Sequence, residues 1–75
     1  MKITVKLIGP LIYEAGFSEK ELTLPESILV GDLQAHVKID KKRATIITRN
    51  GKAAAPEEAL RNGDRVAISY IYSGG

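Results

Sequence analysis

The chain has 75 residues, no cysteine, 11 basic and 9 acidic side chains, and a formal net charge of +2. This length allows one domain, and a domain this small buries only about 60% of the surface that its unfolded chain exposes. The lack of cysteine excludes a disulfide framework and a thiolate metal site, so an apolar core has to stabilise the fold. The nearly balanced charges favour neither nucleic acid nor an anionic membrane as a partner.

The first residues predict a strand and not a targeting segment. Lys2 to Gly9 alternates between apolar and polar side chains, with Ile3, Val5 and Leu7 on one face. A signal peptide would instead carry an uninterrupted apolar stretch, and no apolar run approaches the roughly 20 residues that span a bilayer. We therefore expect a soluble, unprocessed, cytoplasmic protein.

The next segment predicts a loop and a second strand. Gly9-Pro10 ends the first strand and begins a loop that runs to Glu19. Lys20 to Leu24 then alternates again, which predicts a strand antiparallel to the first.

One main helix is predicted at Ile28 to Lys38. Its apolar residues Val30, Leu33 and Val37 recur at steps of three and four, as on one face of a helix. Leu29 stands where a polar cap would best satisfy the first amide groups, so Ser27 is the alternative cap.

A hairpin is predicted after the helix. Ala44 to Arg49 is rich in β-branched residues, which favours a strand. Asn50-Gly51 follows and supports the positive φ angles of a type I′ turn, so Lys52 to Ala54 should pair back as a short strand.

The last quarter predicts a helical turn and a final strand. Pro56 to Leu60 begins with proline and acidic residues, which are preferred at the start of a helix. Asn62-Gly63-Asp64 then reverses the chain into a strand from Arg65 to about Tyr72, with Val66, Ile68 and Tyr70 on one face. Asp32 and Asp64 are expected to serve helix-start and turn geometry.

This order of elements predicts an α+β fold, a mixed sheet of four to five strands with one main helix packed on one face. If the first and last strands lie side by side in parallel at the centre, the order is that of a β-grasp, ubiquitin-like fold. We expect this domain to span residues 1–72 and to leave residues 73–75 as a flexible Ser-Gly-Gly tail.

Several motifs follow one another in a distinctive order. They are Val30-Gly31-Asp32-Leu33, Asn50-Gly51-Lys52, the run from Leu60 to Ile68 around Asn62-Gly63-Asp64, and the final Gly74-Gly75. Together they resemble the MoaD/ThiS family of sulfur carriers, which contains the small subunit of molybdopterin synthase and the sulfur carrier of thiamine biosynthesis. The resemblance covers the whole chain.

Two departures concern the branch of the family. Tyr70-Ile71 replaces the paired prolines common in the molybdopterin branch, and Ser69 stands where the family often has an aromatic residue. The long first loop, Pro10 to Glu19, looks more like the molybdopterin branch, whereas the tail without prolines looks more like the thiamine branch.

The resemblance implies chemistry at the end of the backbone. Gly74 and Gly75 have no Cβ atom, so the tail can enter a slot too narrow for side chains. The family implies an E1-like adenylating enzyme that uses MgATP to adenylate the Gly75 carboxylate, after which a sulfur donor displaces AMP and leaves a thiocarboxylate. The carrier itself would bind no cofactor or metal and would be a co-substrate, since the catalytic groups belong to its partner.

Three hypotheses about the function of the Gly75 carboxylate stay open. The preferred one is sulfur donation to the large subunit of molybdopterin synthase, with the thiazole synthase of thiamine biosynthesis as the runner-up acceptor. A second class is a protein modifier whose Gly75 is joined to a lysine amine of a target. A third is a plain interaction module with an inert tail.

The residues before the glycines are candidate partner contacts, namely Tyr70, Ile71, Tyr72 and Ser73. The alternative is a sheet edge at which one tyrosine ring packs on the core. His36 is expected at the surface or as a helix cap, and Lys41-Lys42-Arg43 as a solvated turn.

Overall fold

The computed structural model describes residues 1–37, 39 and 44–71. Its strands and helices, in chain order, are β1 (Lys2–Leu7), α1 (Leu11–Ala15), β2 (Glu19–Thr23), a 3-10 helix (Val30–Asp32), α2 (Leu33–His36), β3 (Thr45–Arg49), β4 (Lys52–Ala53) and β5 (Arg65–Tyr70). The predicted tail and the basic turn at residues 41–43 lie outside the described residues.

The strands form one mixed sheet in the order β2-β1-β5-β3-β4. β1 and β5 are parallel neighbours at its centre, with Val5 opposite Val66, and the other pairs are antiparallel. This confirms the predicted mixed sheet and its central parallel pair.

Strand alternation gives the sheet an inner and an outer face. The inner positions of β1 and β5 are all buried and are Ile3, Val5, Leu7, Val66, Ile68 and Tyr70. They share one core with Val30, Leu33 and Val37, the predicted apolar stripe of the helix. The helical segment therefore covers the inner face, as the α+β prediction required.

The helical segment is shorter than predicted. Leu29 is extended, with φ −93° and ψ 159°, and Val37 is extended again at φ −120° and ψ 135°. Leu29 instead forms a β-bridge with Ala59, which draws it out of the helix. Apolar spacing identifies the residues that face the core, but it does not locate the helix ends. Lys38 lies outside the described residues.

The cap also differs from the expectation. Ser27 is left-handed at φ 67° and does not cap the helix. The Leu29 amide donates to Asp32 Oδ2 at 3.0 Å, and the Asp32 amide donates back to the Leu29 carbonyl at 3.0 Å. Asp32 thus serves helix-start geometry, as predicted.

The predicted first loop contains the helix α1. Pro10, at φ −58°, precedes it with a backbone angle suited to a helix start, and Gly16, at φ 87°, ends it. Five residues are too few for a helical period to show in the sequence. Leu11 of this helix is fully buried in the core.

The predicted helical turn at Pro56 to Leu60 is wrong. The Glu58 amide closes a tight turn onto the Ala55 carbonyl at 3.1 Å. The chain then runs extended beside residues 28–30, because the Leu60 amide donates to the Ile28 carbonyl and the Val30 amide to the Glu58 carbonyl. Proline and acidic residues favour a helix start, but the pairing between these two segments of the chain outweighs that preference.

Candidate functional site

The surface from which the tail leaves is the candidate site. β5 ends at Tyr70, and the Ile71 amide still donates to the Ala44 carbonyl at 3.1 Å, so pairing with the β3 side continues for one residue. Tyr72, Ser73, Gly74 and Gly75 lie outside the described residues, and their roles stay predictions. Four extended residues reach about 13 Å, so any active site that receives Gly75 has to approach Ile71 to about that distance.

The two described contact candidates point to opposite faces of the sheet. The Tyr70 ring lies in the core with 6% of its surface exposed, and its hydroxyl donates to Glu14 Oε2 at 2.5 Å. This position agrees with the alternative interpretation, in which one tyrosine ring packs on the core. Ile71 is 50% exposed and follows the outer face, so its role in partner contact stays a prediction.

Two further isoleucines accompany Ile71 on the outer face. Ile46 of β3 lies opposite Ser69 of β5. The Ile8 amide donates to the Ile68 carbonyl at 3.1 Å, which continues the parallel ladder and places Ile8 on the other side of Ser69. Ile8 and Ile46 are each 47% exposed. We call Ile8, Ile46, Ser69 and Ile71 the tail-end patch.

The sequence carried a signal for this patch that the prediction missed. Ile8 occupies the position that follows Lys2, Thr4 and Lys6 on the polar face of β1. An apolar residue in a polar series is a candidate for an interface, since exposed apolar clusters mark binding surfaces. Ile46 could be added only once its pairing with Ser69 was known.

The other half of the outer face is charged. Lys2 Nζ lies 4.0 Å from Glu21 Oε1, and Arg65 Nη2 lies 4.0 Å from Glu19 Oε1. These pairs are exposed and contribute little to stability. The outer face therefore changes from charged, where β5 begins, to apolar, where β5 ends, and an apolar centre with a polar surround is typical of protein interfaces.

A polar network lies at the end of the sheet opposite the tail, centred on Asp64, which is 6% exposed. Its Oδ2 accepts from Arg49 Nε at 2.8 Å and from the Arg61 amide at 2.8 Å, and its Oδ1 accepts from Asn50 Nδ2 at 3.0 Å. Arg49 Nη1 also donates to Glu58 Oε1 at 3.0 Å. We call Asp64, Arg49, Asn50 and Glu58 the turn-end network.

Asp64 has a structural role in this network. Burial alone would raise its pKa, but hydrogen bonds from Arg61, Asn50 and Arg49, with the positive charge of Arg49, outweigh burial and lower the pKa below its ordinary value. The carboxylate is thus ionised and engaged by several donors. This confirms that Asp64 serves turn geometry.

The tight turns match their predicted residues. Asn50 and Gly51 have φ of 53° and 84°, as a type I′ turn requires. His36 is exposed at the end of α2, as expected. Among the described residues, no three acidic, histidine or cysteine side chains are grouped so as to hold a metal ion. The helices in the described ranges include none long and apolar enough to cross a bilayer.

Comparison with known proteins decides the family. Residues 5–75 match the ThiS family, and the match extends through both final glycines. The chain belongs to the ThiS family. No curated protein sequence matches it significantly.

Solved structures share its β-grasp fold. SAMP1 of Haloferax volcanii is 26% identical with a TM-score of 0.81, and 100% of each chain is covered. A putative molybdopterin converting factor subunit 1 from Pyrococcus furiosus is 26% identical with a TM-score of 0.82, over 96% of this chain and 99% of that one. The likeness to a Helicobacter pylori complex of molybdopterin-converting factor subunits 1 and 2, at 17% identity, TM-score 0.66 and 100% coverage of both chains, shows the fold alone.

These matches confirm the MoaD/ThiS resemblance and the ubiquitin-like fold that it implied. The similar structures include both a putative molybdopterin converting factor subunit and SAMP1. The chain is therefore of the small carrier or ubiquitin-like modifier kind.

Proposed function

We propose that this protein is a sulfur carrier and that its Gly75 carboxylate is the reactive group. The observation that carries the proposal is the ThiS family match, which includes Gly74 and Gly75. The β-grasp body supports it, because the last described strand ends close to these glycines, at Tyr70. The carrier acts as a co-substrate, and an E1-like enzyme supplies the MgATP site.

The proposed chemistry takes two steps. A carboxylate is a poor electrophile, so a Gly75 oxygen first attacks the α-phosphorus of ATP and displaces pyrophosphate, which gives an acyl-adenylate. Sulfide sulfur then attacks the Gly75 carbonyl carbon, AMP leaves with its electron pair, and loss of the remaining sulfur proton gives the thiocarboxylate. Both steps depend mainly on positioning and charge neutralisation, which the partner provides.

The body serves to dock on that partner. Because the tail after Ile71 reaches only about 13 Å, the rim of the partner's active site has to contact the surface around the start of the tail. The tail-end patch is that surface, and its three half-exposed isoleucines would be buried in such a complex.

Molybdopterin synthesis is the proposed pathway. The similarity to the putative molybdopterin converting factor subunit from Pyrococcus furiosus supports it. The same fold occurs in the Helicobacter pylori complex of subunits 1 and 2, so this fold is compatible with binding a second subunit. Thiamine thiazole synthesis is the alternative. Offering purified thiocarboxylate to the molybdopterin synthase large subunit and to thiazole synthase, and following its loss, separates the two.

Protein modification is the second candidate function. The likeness to SAMP1, which covers all of both chains, favours it. In this case a lysine amine of a target displaces AMP from the same adenylate and forms an isopeptide bond. The two functions share the first step and differ in the nucleophile of the second.

Intact-mass analysis tests the proposal. The protein is incubated with the E1-like enzyme of its own genome, MgATP and sulfide, with ATP omitted from the control. Replacement of one oxygen by sulfur, located on Gly75 by fragmentation, is the expected result. A mass increase by a covalently attached target protein would favour the modifier function. An unchanged mass would contradict the sulfur-carrier function, and a natural protein that continues past Gly75 without being cleaved there would contradict both.

A further inference from the structure

We propose that Tyr70 and Glu14 are positioning residues that fix the point at which the tail begins. The proposal rests on the proposed function, because a defined starting point matters only if the tail has to be delivered to a partner. Its basis is the hydrogen bond from the Tyr70 hydroxyl to Glu14 Oε2 at 2.5 Å.

The two sides of β5 are held differently near its end. On the β3 side, pairing continues to the hydrogen bond between the Ile71 amide and the Ala44 carbonyl. On the β1 side, the described backbone pairing ends where the Ile8 amide donates to the Ile68 carbonyl. The last residue described in this pairing, Ile8, lies beside Ser69, one residue before Tyr70.

The segment that follows β1 contacts the end of β5 through a side chain. Gly9, at φ 66°, turns the chain away, and α1 follows at once. Glu14 in this helix then accepts the Tyr70 hydroxyl. A side-chain hydrogen bond thus joins α1 to the last residue of β5.

A loose strand end would impair delivery of Gly75. If residues 69–71 frayed, the segment between the last fixed residue and the end of the chain would lengthen from four residues to seven. The probability of placing its end at one point falls roughly as the three-halves power of length, by about two- to threefold. Fraying would also remove Ser69 and Ile71 from the tail-end patch.

The first test is amide hydrogen exchange of the isolated protein, measured by NMR. Tyr70→Phe keeps the buried ring and removes only the hydroxyl, whereas Glu14→Ala removes the acceptor. Each is expected to accelerate exchange at Ile71 by about tenfold while leaving Val66, in the centre of the sheet, unchanged. Glu14→Gln keeps an acceptor oxygen and should give an intermediate rate. Tyr13→Phe is the matched control, since Tyr13 is 89% exposed on the same helix.

The second test is the kinetics of adenylation by the E1-like enzyme, followed by pyrophosphate release. Tyr70→Phe and Glu14→Ala are expected to raise KM, by at most the roughly two- to threefold that complete fraying would give, and to leave kcat unchanged, because the catalytic groups of the partner are intact. Tyr13→Phe should change neither constant.

The outcomes separate this proposal from the proposed function. Unchanged exchange at Ile71, or equal acceleration at Ile71 and Val66, overturns the positioning role, and so does faster Ile71 exchange with an unaltered KM. An unmodified chain that is never adenylated contradicts the proposed function instead. Exchange at Ile71 then still decides whether the bond fixes the strand end.

Discussion

The two ends of the sheet carry opposite kinds of surface. Where β5 begins, polar side chains bind one another, and Asp64 accepts hydrogen bonds from Arg49, Asn50 and the Arg61 amide. Where β5 ends, the isoleucines of the tail-end patch are about half exposed. Polar groups that satisfy each other stabilise the fold, whereas exposed apolar groups favour association. The comparison therefore assigns stability to the turn end and recognition to the tail end.

The largest expected effect is at the turn end. Asp64→Ala removes the carboxylate that joins the start of β5 to Arg49 and Asn50, and it leaves those donors without their acceptor. We expect the free energy of unfolding to fall by about 3 kcal/mol, measured by urea denaturation. Glu57→Ala, an exposed acid in the neighbouring connection, is the control and should change it by less than about 0.5 kcal/mol. A loss at Asp64 no larger than at Glu57 would remove the stabilising role of this end.

The next effect sharpens the role of the tail end. Ile46→Glu places a charge within the tail-end patch and should weaken binding to the E1-like enzyme about tenfold, measured by titration calorimetry. The free energy of unfolding should change little, because Ile46 is already half exposed.

Thr23→Glu is the matched control for Ile46→Glu. It adds the same charge to the same face at the opposite end of the sheet, where Thr23 lies opposite Lys2. Its binding should equal that of the unmodified protein. Equal weakening by both substitutions would mean that overall charge, and not the patch, governs the association.

The smallest effect is a pH dependence. The pKa of Asp64 is lower in the folded protein than its ordinary value of 3.8, so its ionised form stabilises the fold. This contribution is complete above pH 3.8 and is lost as the pH falls through the lower folded pKa. The difference in free energy of unfolding between the unmodified protein and Asp64→Asn should therefore shrink below that pH. A difference that stays constant to pH 2 would contradict the lowered pKa.

Local patterns in the sequence predicted most of the body. Alternation located β1 and β5 and their buried faces, and Asn50-Gly51 located the hairpin, since a type I′ turn needs two positive φ angles. The helix was predicted too long because Leu29 pairs with Ala59, a contact between segments far apart in the chain. Helix α1 was missed because it is too short to show a period.

The candidate site was less predictable for the same reason. Tyr70 and Ile71 were both proposed as contacts, yet strand alternation turns the first inward and the second outward. Ile8 and Ile46 join Ile71 only through the pairing of three strands. The turn-end network likewise joins residues brought together by folding, whereas Gly74-Gly75 could be read directly from the sequence.

Sulfur incorporation into a chain that lacks Gly75 shows whether Gly75 is the reactive residue. The shortened protein is incubated with the E1-like enzyme, MgATP and sulfide beside the full-length chain, and both are weighed by intact-mass spectrometry. We expect the full-length chain to exchange one oxygen for sulfur and the shortened chain, although equally stable, to gain none. A shortened chain that acquires sulfur as readily as the full-length one, at a position that fragmentation locates away from its new terminal carboxylate on Gly74, would show that the final carboxylate is not the reactive group.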